Sequence, residues 1–211
     1  MDKYLESFCN QQEQENEKFE ILRKYAEEYK VPIIKRDSLE LIKLLLRLNN
    51  CKRILEIGTA IGYSALAFSF VSGDIKIDTI ERNEDMYFQA VKNIANFNKE
   101  SQIKVYYADA LEIDLNELSD HYDMIFIDAA KAQYQKFFEK FAPLLSEDGM
   151  ILTDNIVFHG CVENQEGLSR NLRSMVKKID MYNNYLKDKE DFVTYFLDSG
   201  DGLGVSLKVK K

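Results

Sequence analysis

The stretch Ile54-Leu-Glu-Ile-Gly-Thr-Ala-Ile-Gly-Tyr-Ser64 decides the fold. An apolar, β-branched run stops at Gly58, a turn carries a second glycine at Gly62, and a helical pattern starts near Tyr63. Strand, glycine turn and helix in that order form the opening of an α/β unit whose ligand lies against the turn, because glycine lets backbone come close to it. Outward from this stretch the same alternation repeats. "IKIDTIE" is strand-like and "NEDMYFQAVKNIANFN" helical; "IKVYYAD" and "YDMIFIDA" are strand-like; "QYQKFFEKFAPLL" is helical and "GMILTDN" strand-like again. Short apolar strands alternating with amphipathic helices predict an α/β, Rossmann-like, doubly wound and mostly parallel sheet.

The two ends depart from the alternation. After the helical "NLRSMVKKIDMYNNYLKD", the runs "DFVTYFLD" and "LGVSLKVK" flank "SGDG", which predicts a C-terminal antiparallel hairpin closing one sheet edge. Before Lys52, residues Phe19 to Tyr29 and Asp37 to Leu48 read as two helices with "VPII" between them. The second carries Leu and Ile on more sides than one buried face needs, which suits helix packing in a homodimer. The chain of 211 residues is read as one domain, N-terminal helices over 1–50 and a core over 51–211, with enough apolar material (45%) for one sizeable interior.

Composition excludes several classes. No apolar run reaches membrane-spanning length, and the polar, acidic N-terminus is unlike a secretory signal. Cys9, Cys51 and Cys161 are odd in number and far apart, which argues against a disulfide framework and for a cytoplasmic setting. A net charge of -8 argues against a broadly basic nucleic-acid coat, though not against a local patch.

The strand ends carry the chemistry. Glu81 closes the second strand, 23 residues after Gly58, where it can accept hydrogen bonds from ribose hydroxyls. The glycine spacing is not the G-x-G-x-x-G that admits a pyrophosphate, so a nicotinamide dehydrogenase loses weight. An adenosine cofactor without phosphates fits better, S-adenosylmethionine foremost, with Asp109 and Ala110 at the end of the third strand beside the adenine. A plain tight turn and a solvated Glu81 are the alternative. Asp128 ends "FIDA", and Asp154 and Asn155 end "MILTDN". Two carboxylates and an amide oxygen are hard donors suited to Mg²⁺, with Ca²⁺ or Mn²⁺ as other oxygen-seeking choices. Helix capping is the competing use of such aspartates. Lys131, three residues beyond Asp128, is a surface lysine or, beside a divalent cation, a proton acceptor. His121 is expected to be exposed, and His159 is at most a pocket wall.

Taken together, "ILEIGTAIGYSA", "TIERNE", "FIDAAKAQYQKFF", "TDNIVFHG" and "GDGL" resemble the metal-dependent class I O-methyltransferases of the catechol and caffeoyl-CoA type. "YAEEYKVPI" and "KIDMYNNYL" resemble the bacterial branch that methylates 5-hydroxyuridine at the tRNA wobble position. The resemblance spans nearly the whole chain. It implies S-adenosylmethionine contacts at Ile34, Ser64, Glu81, Asp109, Ala110 and Asp128, a metal held by Asp128, Asp154 and Asn155, and Lys131 as the catalytic lysine near the reacting hydroxyl. It also implies a homodimer and a tRNA anticodon region as substrate. Arg170, Arg173, Lys177 and Lys178, with Lys35 and Arg36, are the cations on offer to its phosphates. A small phenol as acceptor and a non-catalytic nucleotide-binding module remain the alternatives.

Overall fold

The computed structural model describes residues 16–158, 160–162 and 166–210; Cys9 and His159 lie outside them. Thirteen helices and strands follow the anticipated order. Helices α1 (Asn16–Glu28) and α2 (Arg36–Leu48) precede β1 (Arg53–Ile57), α3 (Tyr63–Ser69), β2 (Lys76–Glu81), α4 (Glu84–Asn96), β3 (Ile103–Tyr107) and β4 (Tyr122–Ile127). Then come α5 (Tyr134–Phe141), β5 (Leu145–Asp154), α6 (Arg170–Asp188), β6 (Phe192–Leu197) and β7 (Leu203–Lys208).

The strands form one sheet in the order β3-β2-β1-β4-β5-β7-β6. The first five are parallel, while β7 pairs antiparallel with both β5 and β6. This is a Rossmann-like α/β sheet, and the chain reverses sheet direction between β1 and β4. Such a reversal opens a crevice at the strands' carboxyl ends, because the helices on either side depart to opposite faces.

Both faces are covered because the central strands are apolar on both. On one face Ile54, Met124, Phe126, Met150 and Leu152 pack with Leu39, Ile42 and Leu46 of α2 and with Phe68 of α3. On the other, Leu55, Ile57, Ile125, Ile127 and Ile151 pack with Phe137, Phe138 and Phe141 of α5 and with Tyr182 and Leu186 of α6. Cover thins over the last two strands. Val193 and Leu207, opposite each other in the ladder, and Tyr195, opposite Val205, stay exposed on the α2 side. Among the described residues no helix is long and apolar enough to cross a membrane.

Asn83 caps α4 by accepting from the backbone N–H of Met86, and Ser169 caps α6 by accepting from that of Leu172. Strand boundaries differ from expectation at two places. β5 starts at Leu145, ahead of "GMILTDN" and at the last residue of the run expected to be helical. β3 stops at Tyr107, so Asp109 and Ala110 lie in the turn beyond it rather than at its end. There the Asp109 carboxylate accepts from its neighbour's backbone, Leu111 N–H at 2.9 Å, a local bond that competes with the ladder.

Candidate active site

The crevice is lined by the β1–α3 turn, the ends of β2, β4 and β5, and Pro32, Ile33 and Ile34 from the segment between α1 and α2. All nine residues singled out from sequence line this one cavity: Ile34, Ser64, Glu81, Asp109, Ala110, Asp128, Lys131, Asp154 and Asn155.

Gly58 shapes the floor. Its φ of +100° is closed to most side chains, and a Cβ there would come within 2.2 Å of the Asp128 carbonyl oxygen. The turn passes that close to β4 because Asp128 N–H bonds to Ile57 carbonyl at 3.0 Å, continuing the ladder past the strand ends. Glu81 is fixed by backbone donors. Ala60 N–H reaches its Oε2 and Asn83 N–H its Oε1, each at 2.8 Å. A carboxylate so held keeps free lone pairs for vicinal hydroxyls on the cavity side. Arg82 stands at the rim, 3.6 Å from Asp109.

Across the cavity, β4 and β5 run side by side and deliver Asp128 and Asp154. Neither is a cap: the 3₁₀ turn Lys131–Gln133 starts after Ala130 without a side-chain cap, and no helix follows Asp154 directly. Burial raises the Asp128 carboxyl above its ordinary range, and nearby Lys131 opposes that rise. Burial, then the charge of Asp128, pushes Asp154 up to about 7. A cation between these two buried carboxyls would relieve the cost of ionising them. Asn155 has a left-handed backbone, φ +61°, which asparagine tolerates. Its Nδ2 donates to Asp154 Oδ2 at 3.0 Å, and Lys131 Nζ donates to its Oδ1. Lys131 leads a 3₁₀ turn rather than an α-helical one, which swings its ammonium over the Phe158 ring at 5.7 Å.

The donor set fits a hard divalent ion. Oδ1 of Asp154 is buried and accepts no hydrogen bond from any described residue, an arrangement that costs free energy until something positive meets it. Among the described residues no group of three or more His, Cys, Asp or Glu side chains gathers as a metal site, so a metal held here would rest on two carboxylates and one amide.

Sequence reasoning passed over several contributors. Glu56, inside the apolar β1, is fully buried under the turn. It accepts from Ser64 Oγ and Thr79 Oγ1, each at 2.5 Å, and burial pushes its carboxyl up to about 7. A lone acid within "ILEI" was the available signal. Tyr63 lines the wall and accepts from Arg23 of α1 at 2.6 Å, a link across 40 residues that no local pattern carries. Lys35 and Arg36 are engaged internally: Lys35 reaches Gly200 carbonyl at 3.2 Å, and Arg36 lies 3.7 Å from Glu20. His121 is exposed beside Asp120, as anticipated.

A family model described as O-methyltransferase matches residues 10–209. A caffeoyl-CoA O-methyltransferase from Populus kitakamiensis is 27% identical over 175 residues, covering 79% of this chain and 74% of that protein. A crystal structure from Staphylococcus aureus, assigned provisionally as a caffeoyl-CoA O-methyltransferase, is 47% identical, with TM-score 0.92 and 98% of each chain covered. The S-adenosylhomocysteine-bound methyltransferase PaMTH1 of Podospora anserina shares the fold, with TM-score 0.81 at 24% identity over 92% of this chain and 87% of that one.

Proposed function

We propose, from the premise that this chain belongs to the O-methyltransferase family and is S-adenosylmethionine-dependent, that it methylates a hydroxyl chelated by a divalent metal, most specifically the 5-hydroxyl of uridine at the tRNA wobble position. The observation carrying the metal-dependent chemistry is the meeting of Asp128, Asp154, Asn155 and Lys131 on one wall of a cavity whose opposite end holds Glu81.

S-adenosylmethionine supplies a methyl on a sulfonium, so an O–CH₃ bond forms as the S–CH₃ bond breaks. Mg²⁺, or Ca²⁺ or Mn²⁺ in its place, would be held by Asp128, Asp154 and Asn155 and would supply Lewis acidity toward the substrate hydroxyl and a neighbouring oxygen. Everything else falls to the protein. Glu81, fixed by two backbone N–H groups, orients the ribose, and Ile33, Ile34, Ala129 and Phe137 exclude water around the reacting atoms. Lys131 Nζ lies against Asn155, where it can take the hydroxyl proton once its own has left, with water as the alternative acceptor. Charge is neutralised in the transfer, so positioning in a dry cavity carries most of the rate.

Support for an RNA substrate comes from α6. Tyr182 bonds to Thr153 at 2.8 Å and Asn183 to Ile156 carbonyl at 2.9 Å, which puts the helix's second half level with the end of β5. Its first half still packs on the protein through the fully buried Val176 and Ile179. Between them and before them it turns Arg170, Arg173, Lys177 and Lys178 to solvent, cations on offer to RNA phosphates. Lys35 and Arg36, bound internally, add less than their charge suggests. The names of the relatives favour a second reading, a small-molecule catechol or phenol as acceptor. Mass spectrometry of tRNA nucleosides from a deletion strain separates the two: 5-methoxyuridine persisting with no other methylating enzyme present defeats the tRNA reading. Full turnover in excess EDTA defeats the metal.

A homodimer belongs to the same proposal. Leu44 and Leu48 of α2 are exposed on the side of the sheet where Val193, Tyr195 and Leu207 lie open, an apolar surface suited to a second copy. A monomer mass by light scattering would remove it.

A further inference from the structure

Residues 31–35 cross one side of the cavity without belonging to helix or strand, and Pro32, Ile33 and Ile34 among them line it. A stretch with no ladder to hold it opens more readily than the strands beneath, unless something outside it ties it down. Here the ties come from the far end of the sequence. Asp37 Oδ2 accepts from Gly200 N–H at 3.0 Å, and Lys35 Nζ donates to the Gly200 carbonyl at 3.2 Å. Lys35 also lies 3.9 Å from the buried Asp201 carboxylate. The seat is close: Gly200 has φ +64°, and a Cβ there would run into Ser38 Oγ at the start of α2.

The same hairpin turn is pinned on its other side. Ile156 N–H donates to the Gly202 carbonyl at 3.2 Å, and Val157 N–H to the Asp201 carbonyl at 3.0 Å. Ile156 and Val157 directly follow Asp154 and Asn155 on the acceptor side of the cavity. Asn183 of α6 bears on the same point, donating to the Ile156 carbonyl at 2.9 Å. The turn is closed on itself by Gly202 N–H, which donates to the Ser199 carbonyl at 2.9 Å, so it shifts as one piece. Turn 199–202 is therefore bonded both to the segment that flanks the cover and to the wall opposite. None of Lys35, Asp37, Gly200 and Asp201 lines the cavity itself.

We propose that turn 199–202 is a two-sided clasp, and that Asp37 is the positioning residue latching the cover 32–34 to it, so that cover and acceptor wall loosen together and the donor exchanges only when they do. This rests on the cavity taking S-adenosylmethionine. Groups that do not touch the ligand favour the closed cover equally whether the cavity is filled or not. The latch therefore slows entry and exit by the same factor and leaves affinity nearly unmoved. A donor held this way stays in register while a bulky acceptor docks on the wall that shares its clasp.

Asp37→Ala removes the acceptor of the Gly200 N–H, and two measurements on the full chain test it. Amide hydrogen exchange by NMR should show Ile156 and Val157 N–H exchanging about fivefold faster than in wild type, although the substitution touches neither, with Ala108 in the other half of the sheet unchanged. Rapid-mixing binding of S-adenosylhomocysteine should show association and dissociation both about fivefold faster, with Kd within about twofold. Acceleration confined to Gly200, or shared equally by Ala108, would overturn the clasp. Dissociation that quickens without association, or rates that do not change, would overturn the latch. Failure of the wild type to bind S-adenosylhomocysteine would instead overturn the reading of the cavity, while amide exchange still decides the clasp. Should Asp37→Ala not fold, Lys35→Met takes the other tie from Gly200 at a half-exposed side chain that the fold tolerates. It should give the same pattern at about two- to threefold, and the same results would overturn the proposal.

Discussion

Asp154→Asn should make the protein more stable when no metal can bind, and inactive under all conditions. Asp154 is 2% exposed, its Oδ1 meets no described donor, and Asp128 adds like charge from the adjacent strand. Its carboxyl is pushed from the ordinary 3.8 to about 7. A folded-state value above the unfolded one means that the native protein binds the proton more tightly. The associated stability is therefore present below about pH 4, is lost as pH rises through 7, and is absent at pH 8. At about 1.36 kcal/mol per pH unit, the ionised side chain costs about 4 kcal/mol at pH 8 as an upper bound. Charge shared with Asp128 and the opposing ammonium of Lys131 reduce this to about 2 kcal/mol. For a chain of this length that is about 4–8 °C in Tm. Thermal melts in EDTA at pH 8 should show Asp154→Asn above wild type by that amount, and by less than half as much at pH 5. Added magnesium should raise the wild type and leave the variant where it is. A variant no more stable than wild type at pH 8, or an increment equal at both pH values, would refute the electrostatic account of this pair.

Gly58→Ala combines a left-handed backbone with a Cβ driven into the Asp128 carbonyl, and should cost about 2–5 kcal/mol, read as a denaturant midpoint shift; a change below 1 kcal/mol would mean that β1 and β4 are not held as close as described. Glu81→Ala removes the carboxylate proposed to hold the ribose hydroxyls, and should weaken S-adenosylhomocysteine binding about 10- to 100-fold by calorimetry, with less effect on kcat at saturating donor. Lys131→Met should lower kcat about 10²- to 10⁴-fold while leaving donor affinity within about twofold, and an unchanged kcat would remove Lys131 from proton transfer.

The parts legible in sequence were those written in local periodicity. The strand-turn-helix at Ile54–Ser64 announced both the sheet and its crevice, and the apolar runs ending in Asp128 and Asp154 marked adjacent strands because acids rarely follow buried runs without a use. The hairpin about "SGDG" was readable, and so was its place at one edge of the sheet, but not which of its strands pairs with the parallel ones. That β7 rather than β6 lies beside β5 depends on which strand buries Leu203 and Val205 against α2, a tertiary choice. The exact end of β3 was lost to a side-chain bond at Asp109, and Glu56 was hidden inside a strand whose other residues all argue for core. Long-range partners such as Arg23 with Tyr63 leave no trace in any window, since the two are brought together only by the packing of α1 on α3.

The placement of β7 has a consequence for how the molecule is made. Asp154 sits on β5, whose outer edge is satisfied by Leu203–Lys208, the last described strand to be synthesised. Until those residues leave the ribosome, Met150 to Asp154 present an unpaired apolar edge, and the wall that carries Asp154 and Asn155 has no fixed position. The five parallel strands can gather earlier, so a nascent chain holds a nearly complete donor cavity long before it can hold an acceptor. Truncation or slow translation within the hairpin should then yield a sticky, cofactor-competent, inactive species, the form most exposed to chaperones and to aggregation.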